Sequence, residues 1–200
     1  MKKCLTVVLL ICLVFVDGAA KAEVHGFFEL QTMSPEVIHQ ATFDGGLVVP
    51  FKSGLGLRAF LLVKPGFAQA HIGPTWQPIP WLKIGASVGG RQALDGMDLQ
   101  TAYLLWLGYD WFSFCGMVEV GEKAYQGDDS HIWYDLTARF KVTDWITFGM
   151  KDRRPAGFGP LVELTWPAAH LTGWVAWVPV GAEDPEFVPE RFLLGAKLGF

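Results

Sequence analysis

Across residues 132–142 the even positions, Ile132, Tyr134, Leu136, Ala138, Phe140 and Val142, are apolar or aromatic. The odd positions, Trp133, Asp135, Thr137, Arg139 and Lys141, are mostly charged or polar. Successive side chains of a strand point to opposite faces, so this segment separates a fatty side from a wet one. The same period recurs. Leu82, Ile84, Ala86 and Val88 alternate with Lys83, Gly85, Ser87 and Gly89; Phe112, Phe114, Gly116, Val118 and Val120 oppose Ser113, Cys115, Met117 and Glu119. Phe158, Val162, Leu164 and Trp166 oppose Gly159, Glu163 and Thr165, and Val24, Phe28 and Leu30 oppose His25, Glu29 and Gln31. The spacing predicts strands near 24–33, 40–51, 55–64, 67–76, 80–89, 97–108, 111–121, 131–141, 145–151, 157–166, 170–180 and 191–200. An even number of about twelve puts both ends of the sheet on one side; merging segments before Lys64 leaves ten as the fallback, and Ser34-Pro35-Glu36 could open a short helix.

A soluble sandwich would solvate its polar face with many charges. Here the polar face is rich in Gly, Ser, Thr and Gln, while the apolar face is continuous over about ten residues per segment, which fits a barrel whose outside meets lipid and whose inside is polar. Such a sheet must close, because an open edge cannot stay unpaired in hydrocarbon. The expected fold is therefore all-β, a closed antiparallel transmembrane barrel.

The turns repeat as well. Trp81, Trp111 and Trp145 each follow a tight polar turn and precede an alternating run that reaches a glycine. Indole suits a membrane boundary, where the ring is buried and its N–H stays wet. Connections at the other rim, residues 90–96, 122–130, 151–156 and 180–190, are expected to be longer and more polar.

Composition agrees with the pattern. Apolar residues make up 51% of the chain, with 9 Trp and 15 Phe, and charged residues only 18%. A formal charge of -4 without like-charge blocks gives no footprint for nucleic acid. At the start, two lysines, an apolar run from Cys4 to Val16 and the small residues of Ala20-Lys21-Ala22 make the three-part layout of a secretory signal peptide, too short to span a bilayer. Cleavage after Ala22 leaves residues 23–200 as the barrel domain, with Cys115 as the lone cysteine and no internal disulfide.

Over nearly all of the sequence after the leader, the chain resembles the bacterial outer-membrane β-barrel proteins, porin-like, as a broad class. The strongest element is RFLLGAKLGF, where Phe192, Leu194, Ala196, Leu198 and Phe200 stand at alternate positions. In that class a final strand ending on Phe is recognised by the barrel-assembly machinery. The resemblance thus implies a Gram-negative envelope location, outer-membrane lipid as surroundings, and Phe192, Leu194, Leu198 and Phe200 as an assembly signal.

By parity, Glu29, Lys83, Asp98, Glu119, Asp135, Arg139, Lys151, Glu163, Arg191 and Lys197 should line the lumen, together with Arg58, His71, Gln100 and Lys141. They could brace the wall in pairs or select small hydrophilic solutes. If residues 142–144 form a three-residue loop, Asp135 lies directly opposite Lys151. The functional expectation is a small porin-like channel or a structural barrel; the alternative is an outer-membrane enzyme hydrolysing lipid or lipopolysaccharide acyl chains. For the latter, Ser87 and His71 on neighbouring strands are the candidates, although no nucleophile signature surrounds Ser87 and parity turns both inward. His25, His39, His131 and His170 lack metal-ligand spacing, no nucleotide fingerprint occurs, and no cofactor is implied. Asp128-Asp129 could hold a divalent cation weakly or simply be solvated.

Overall fold

The alternating segments close on themselves. In the computed structural model the strands are β1 (His25–Ser34), β2 (Thr42–Pro50), β3 (Leu55–Lys64), β4 (Phe67–Ile79), β5 (Leu82–Ala93), β6 (Gly96–Tyr109), β7 (Phe112–Gly121), β8 (Ile132–Lys141), β9 (Ile146–Arg153), β10 (Gly157–Trp166), β11 (Leu171–Trp177) and β12 (Phe192–Gly199). The structure describes residues 24–34, 41–93, 96–180 and 191–200. The leader expected at 1–22, its cleavage after Ala22, and the short helix considered at Ser34-Pro35-Glu36 fall wholly or largely outside them. Each strand pairs antiparallel with its sequence neighbour, and β1 pairs with β12, giving a closed twelve-stranded barrel. Both β2 and β3 are present, so the ten-strand fallback does not apply.

Every strand has one inward and one outward face. Leu30 (58% exposed), Val88 (64%) and Leu99 (69%) represent an outward apolar surface that spans the wall. Their strand partners in the other parity, Gln31, Ser87 and Gln100, are buried. This largely inverts a soluble core: most buried side chains are polar and the exposed wall is apolar, although Leu161, Trp174, Ala176 and Leu193 form a small buried apolar cluster. An apolar band of this extent is stable only when something apolar covers it.

The two rims differ, although less simply than the sequence suggested. On the rim that carries residues 24 and 200, β2–β3 turns through a short 3-10 segment, β4–β5 through Pro80-Trp81, and β6–β7 through Asp110-Trp111. At the opposite rim, β3–β4 turns in only two residues, Pro65-Gly66, and β5 and β6 stay paired to Ala93↔Gly96. The expected loop at 90–96 is therefore mostly strand, and so is much of 151–156, because β9 runs to Arg153. A wall facing both lipid and a lumen favours strands extended to the rim, since each added ladder bond satisfies a backbone group. The longest described connection is 122–131, two 3-10 turns in which Asp128 accepts from the Ser130 N–H and hydroxyl. Those bonds hold the Asp128 carboxyl below its usual range, so this side chain caps a turn and adds no support to the cation reading.

The β8–β9 turn corrects the register. Lys141 pairs with Thr147, and Asp135 faces Arg153, two residues beyond the expected partner Lys151. The loop is longer because Val142 N–H donates to Ile146 O at 3.0 Å, while Thr143 Oγ1 accepts from Trp145 N–H at 3.3 Å and Ile146 N–H at 3.0 Å. Both loop lengths are odd, so parity survives.

Candidate functional site: the charged lumen

Inward parity places Glu29, Lys83, Asp98, Glu119, Asp135, Arg139, Lys151, Glu163 and Lys197 on the lumen side of the wall, while Arg191, just ahead of β12, donates to Ala156 O at 3.3 Å. The structure gathers them into two main clusters.

The first centres on Asp135. Lys151 Nζ donates to its Oδ1 at 2.7 Å, diagonally across the β8–β9 pair, and Arg153 Nε donates to Oδ2 at 2.6 Å. Arg153 also donates through Nη1 to Gln31 Oε1 on β1. Gln31 Nε2 in turn donates to Asp44 Oδ2 at 2.9 Å. Since β9 and β1 are separated by β10, β11 and β12 around the wall, Arg153 is a strut that spans the lumen. Trp174 on β11 closes the space beside it: its Nε1–H donates to Glu29, and Lys151 Nζ lies 5.2 Å from its ring centroid. Arg153 stacks on Trp133 as well, 5.8 Å from that centroid.

Trp174 can lie against the wall only because its direct partner is Gly195. A Cβ at Gly195 would stand 2.4 Å from Trp174 Cε2. Gly195→Val should displace the indole from Glu29 and Lys151 and cost about 1–3 kcal/mol through overpacking, read as a lower urea midpoint of the refolded barrel. An unchanged midpoint would show that the seat tolerates a side chain.

The second cluster centres on Glu119, 1% exposed. Gln69 Nε2 donates to its Oε1 at 3.0 Å and Gln100 Nε2 to its Oε2 at 2.7 Å. His71 Nε2 stands 3.4 Å from Oε1, and Ser87 Oγ is 2.9 Å from His71 Nδ1. The His71 ring stacks on Phe60 at 4.9 Å, and Arg58 packs on the same Phe60 while reaching Met117 Sδ at 3.2 Å. Strands β3 to β7 are thereby tied through their inner faces.

Ser87, His71 and Glu119 form a serine–histidine–acid row, with the acid supplied by a residue that sequence reasoning had assigned only to the lumen lining. The row is buried throughout, with His71 4% and Glu119 1% exposed. Ser87 is 6% exposed, and the backbone of Gly73 approaches so closely that a Cβ there would lie 2.4 Å from Ser87 Cα. Ser87 Oγ also lies 3.4 Å from Ala102 O. These contacts brace the wall, and the hydrolase alternative gains no support from them.

Smaller pairs complete the lining. Arg139 Nε meets Glu163 Oε1 at 2.9 Å, and Asp98, toward the rim opposite the termini, binds Arg91 at 3.1 Å and His131 Nδ1 at 3.0 Å. Lys83 and Lys197 rest over the rings of Trp106 and Phe27. Cys115 is a free thiol on the inward side.

A water-filled pore leaves its lining wet. Here Gln31 (5%), His71 (4%) and Lys151 (6%) are shut off from solvent, so the side chains of each cluster close over one another. Sequence reasoning missed Gln31, Asp44, Arg153 and Trp174 as members of this closure. For Arg153 a signal existed: the inward series Gly149, Lys151, Arg153 continues unbroken, but the charges of residues 151–154 read as a loop.

No protein-family model matches the chain, and no curated protein does. Solved structures do. The chain superposes on the NanC porin with a TM-score of 0.54 at 10% identity, covering 86% of this chain and 98% of that one. The fold is that of the porin barrels. The KdgM porin gives a TM-score of 0.53 at 10% identity, over 88% of this chain and 99% of the other. At such identity the likeness concerns architecture, and the side chains of the lumen must be argued from this chain alone.

Proposed function

We propose that the protein is an outer-membrane barrel of porin type, a narrow channel for small hydrophilic solutes whose middle is constricted by the Arg153 strut and the Glu119 cluster. The observation that carries this reading is the two-faced closed wall, apolar and exposed outside, charged and hydrogen-bonded inside. Solvating lumen charges while presenting hydrocarbon to lipid has a use only when the barrel stands across a membrane. The predicted lumen-lining residues would set the polarity of the passage. A KdgM porin has been solved in complex with disordered oligogalacturonate, and a hydrophilic ligand on a barrel of the same fold supports a hydrophilic solute for this one.

The reading includes export through a leader removed after Ala22. It also takes the rim carrying the termini as periplasmic, with Trp81, Trp111 and Trp145, exposed at 50%, 58% and 57%, at the lipid boundary. Assembly would run through β12. Phe200 exchanges backbone bonds with Gly26 at 2.8 and 3.0 Å, and its ring lies 5.3 Å from that of Phe28. Removing Phe200 should lower the amount of folded barrel recovered in the outer-membrane fraction; unchanged levels would count against the assembly role.

The buried mid-lumen favours one second reading, a structural barrel that conducts nothing. Swelling of liposomes that contain the refolded protein separates the two: uptake of small sugars supports a channel, and an absence of swelling with correctly folded protein supports the scaffold.

A further inference from the structure

Between the β6–β7 and β8–β9 turns on the rim carrying the termini lies a shallow depression of about 430 Å³, lined by Asp110, Trp111, Lys141, Thr143, Asp144 and Trp145. Its frame is fixed. Lys141 N–H donates to Trp111 O at 2.8 Å, joining the two turns, and Thr143 caps the second turn as described above. The charges inside are one ammonium and two carboxylates. Lys141, expected in the lumen lining, is the last residue of β8 and instead folds onto its own turn, where its Nζ meets Asp144 Oδ1 at 2.7 Å. That hydrogen bond holds the Asp144 carboxyl below its ordinary range, so Asp144 stays anionic at neutral pH. Asp110 makes no hydrogen bond or ion pair with any described residue, which leaves an unmatched negative charge beside Trp111.

Directly adjacent on the outward wall is an aromatic landing. Phe140 and Phe148 are cross-strand partners, 43% and 50% exposed. Trp111 stacks on Phe140 at 6.1 Å with an interplanar angle of 24°, and Phe112 packs 5.2 Å from the same ring. A ligand suited to this place has an apolar tail along Phe140 and Phe148, an anionic group within reach of Lys141, and a cationic group that donates hydrogen bonds to Asp110.

The geometry points to a binding site for one zwitterionic phospholipid with a primary-ammonium headgroup: phosphate on Lys141, ammonium on Asp110 against Trp111, and acyl chain over Phe140 and Phe148. An anionic headgroup without an ammonium is disfavoured, because it adds a negative charge and leaves Asp110 unmatched. A choline headgroup keeps the attraction of its charge to the indole face but loses the N–H donors that Asp110 would accept. The proposal rests on the membrane-barrel reading and deepens it at the lipid boundary.

Native mass spectrometry of the detergent-solubilised full barrel tests it with three added lipids: phosphatidylethanolamine, phosphatidylcholine and phosphatidylglycerol. Expected is preferential retention of one phosphatidylethanolamine, reduced about threefold by Asp110→Asn and by Lys141→Gln, as for a solvent-accessible charged contact. Lys123→Gln, in the 122–131 connection at the opposite rim, should leave retention unchanged. Equal or stronger retention of phosphatidylglycerol, or a phosphatidylethanolamine adduct indifferent to both groove substitutions, overturns the site. Both groove side chains are exposed, Asp110 in a turn and Lys141 at the end of β8, and the heat-modifiable gel shift verifies that the variants are folded. The readout is independent of conduction: a silent barrel that retains the lipid counts against the channel alone, and a conducting barrel without retention counts against the site alone.

Discussion

In planar bilayers, Arg153→Ala raises single-channel conductance above that of the wild type, because it removes the guanidinium that joins β9 to Gln31 of β1 across the lumen. The neighbouring groups cannot replace it. Lys151 already donates to Asp135 and Thr137 and packs over Trp174, and without Arg153 the Gln31 carbonyl loses its donor. The same substitution should lower stability. Breaking a buried, hydrogen-bonded charge pair costs roughly 3–5 kcal/mol, and the remaining Lys151 bond keeps the loss toward the lower figure. Arg153→Lys separates the two effects: it keeps a cation near Asp135 but lacks the forked reach to Gln31, so it should recover much of the stability and little of the constriction. Equal conductance in all three proteins, at equal folded yield, would remove Arg153 from any role in closing the lumen.

Glu119→Ala is expected to be the most damaging single substitution in the other half of the barrel. It strands the Gln69 and Gln100 amides and leaves His71 Nε2 without an acidic neighbour, in a place where Glu119 itself is only 1% exposed. Each buried donor left unsatisfied costs about 1–3 kcal/mol, so a total loss of about 3–5 kcal/mol is expected for the cluster. Glu119→Gln should fall between, since a neutral amide offers one acceptor oxygen where the carboxylate offers two. Urea titration of protein refolded into vesicles, followed by the heat-modifiable gel shift, measures the order. A glutamine variant as unstable as the alanine one would mean that the negative charge, rather than the count of acceptors, holds the cluster together.

Much of this arrangement was legible from alternation. Period two assigned the strands nearly to their ends, and the parity that put Lys83, Glu119, Asp135 and Lys151 inward depends on nothing but the two-sidedness of a strand. Register was not legible to the same degree. The β8–β9 turn looked like three residues because Val142-Thr143-Asp144 has turn composition, whereas Thr143 caps two following N–H groups and lengthens it. Asp135 therefore faces Arg153, while Lys151 still reaches it on the diagonal, because a lysine is long enough to cover that offset. Contacts across the lumen were beyond sequence altogether. Nothing in the spacing of Gln31 and Arg153, or of Gln69 and Glu119, brings them together; the curvature of a closed wall does.

Charge in a lumen has two physical outcomes. Facing side chains either stay apart and hydrated, giving a pore, or meet and neutralise one another, giving a plug. Among the described residues, the second outcome is the one seen in the middle of this barrel. Lys83 and Lys197 rest on aromatic rings without forming an ion pair to any described residue, while the middle is knit by Arg153 and Glu119.

The central claim, a membrane-spanning barrel whose passage is limited by its own mid-lumen side chains, is tested most directly by single-channel recording of the refolded wild type beside Arg153→Ala. Small, discrete openings in the wild type and larger ones in the variant are predicted. Wide, variant-independent openings would contradict the constriction, and silence in both folded proteins would contradict the channel.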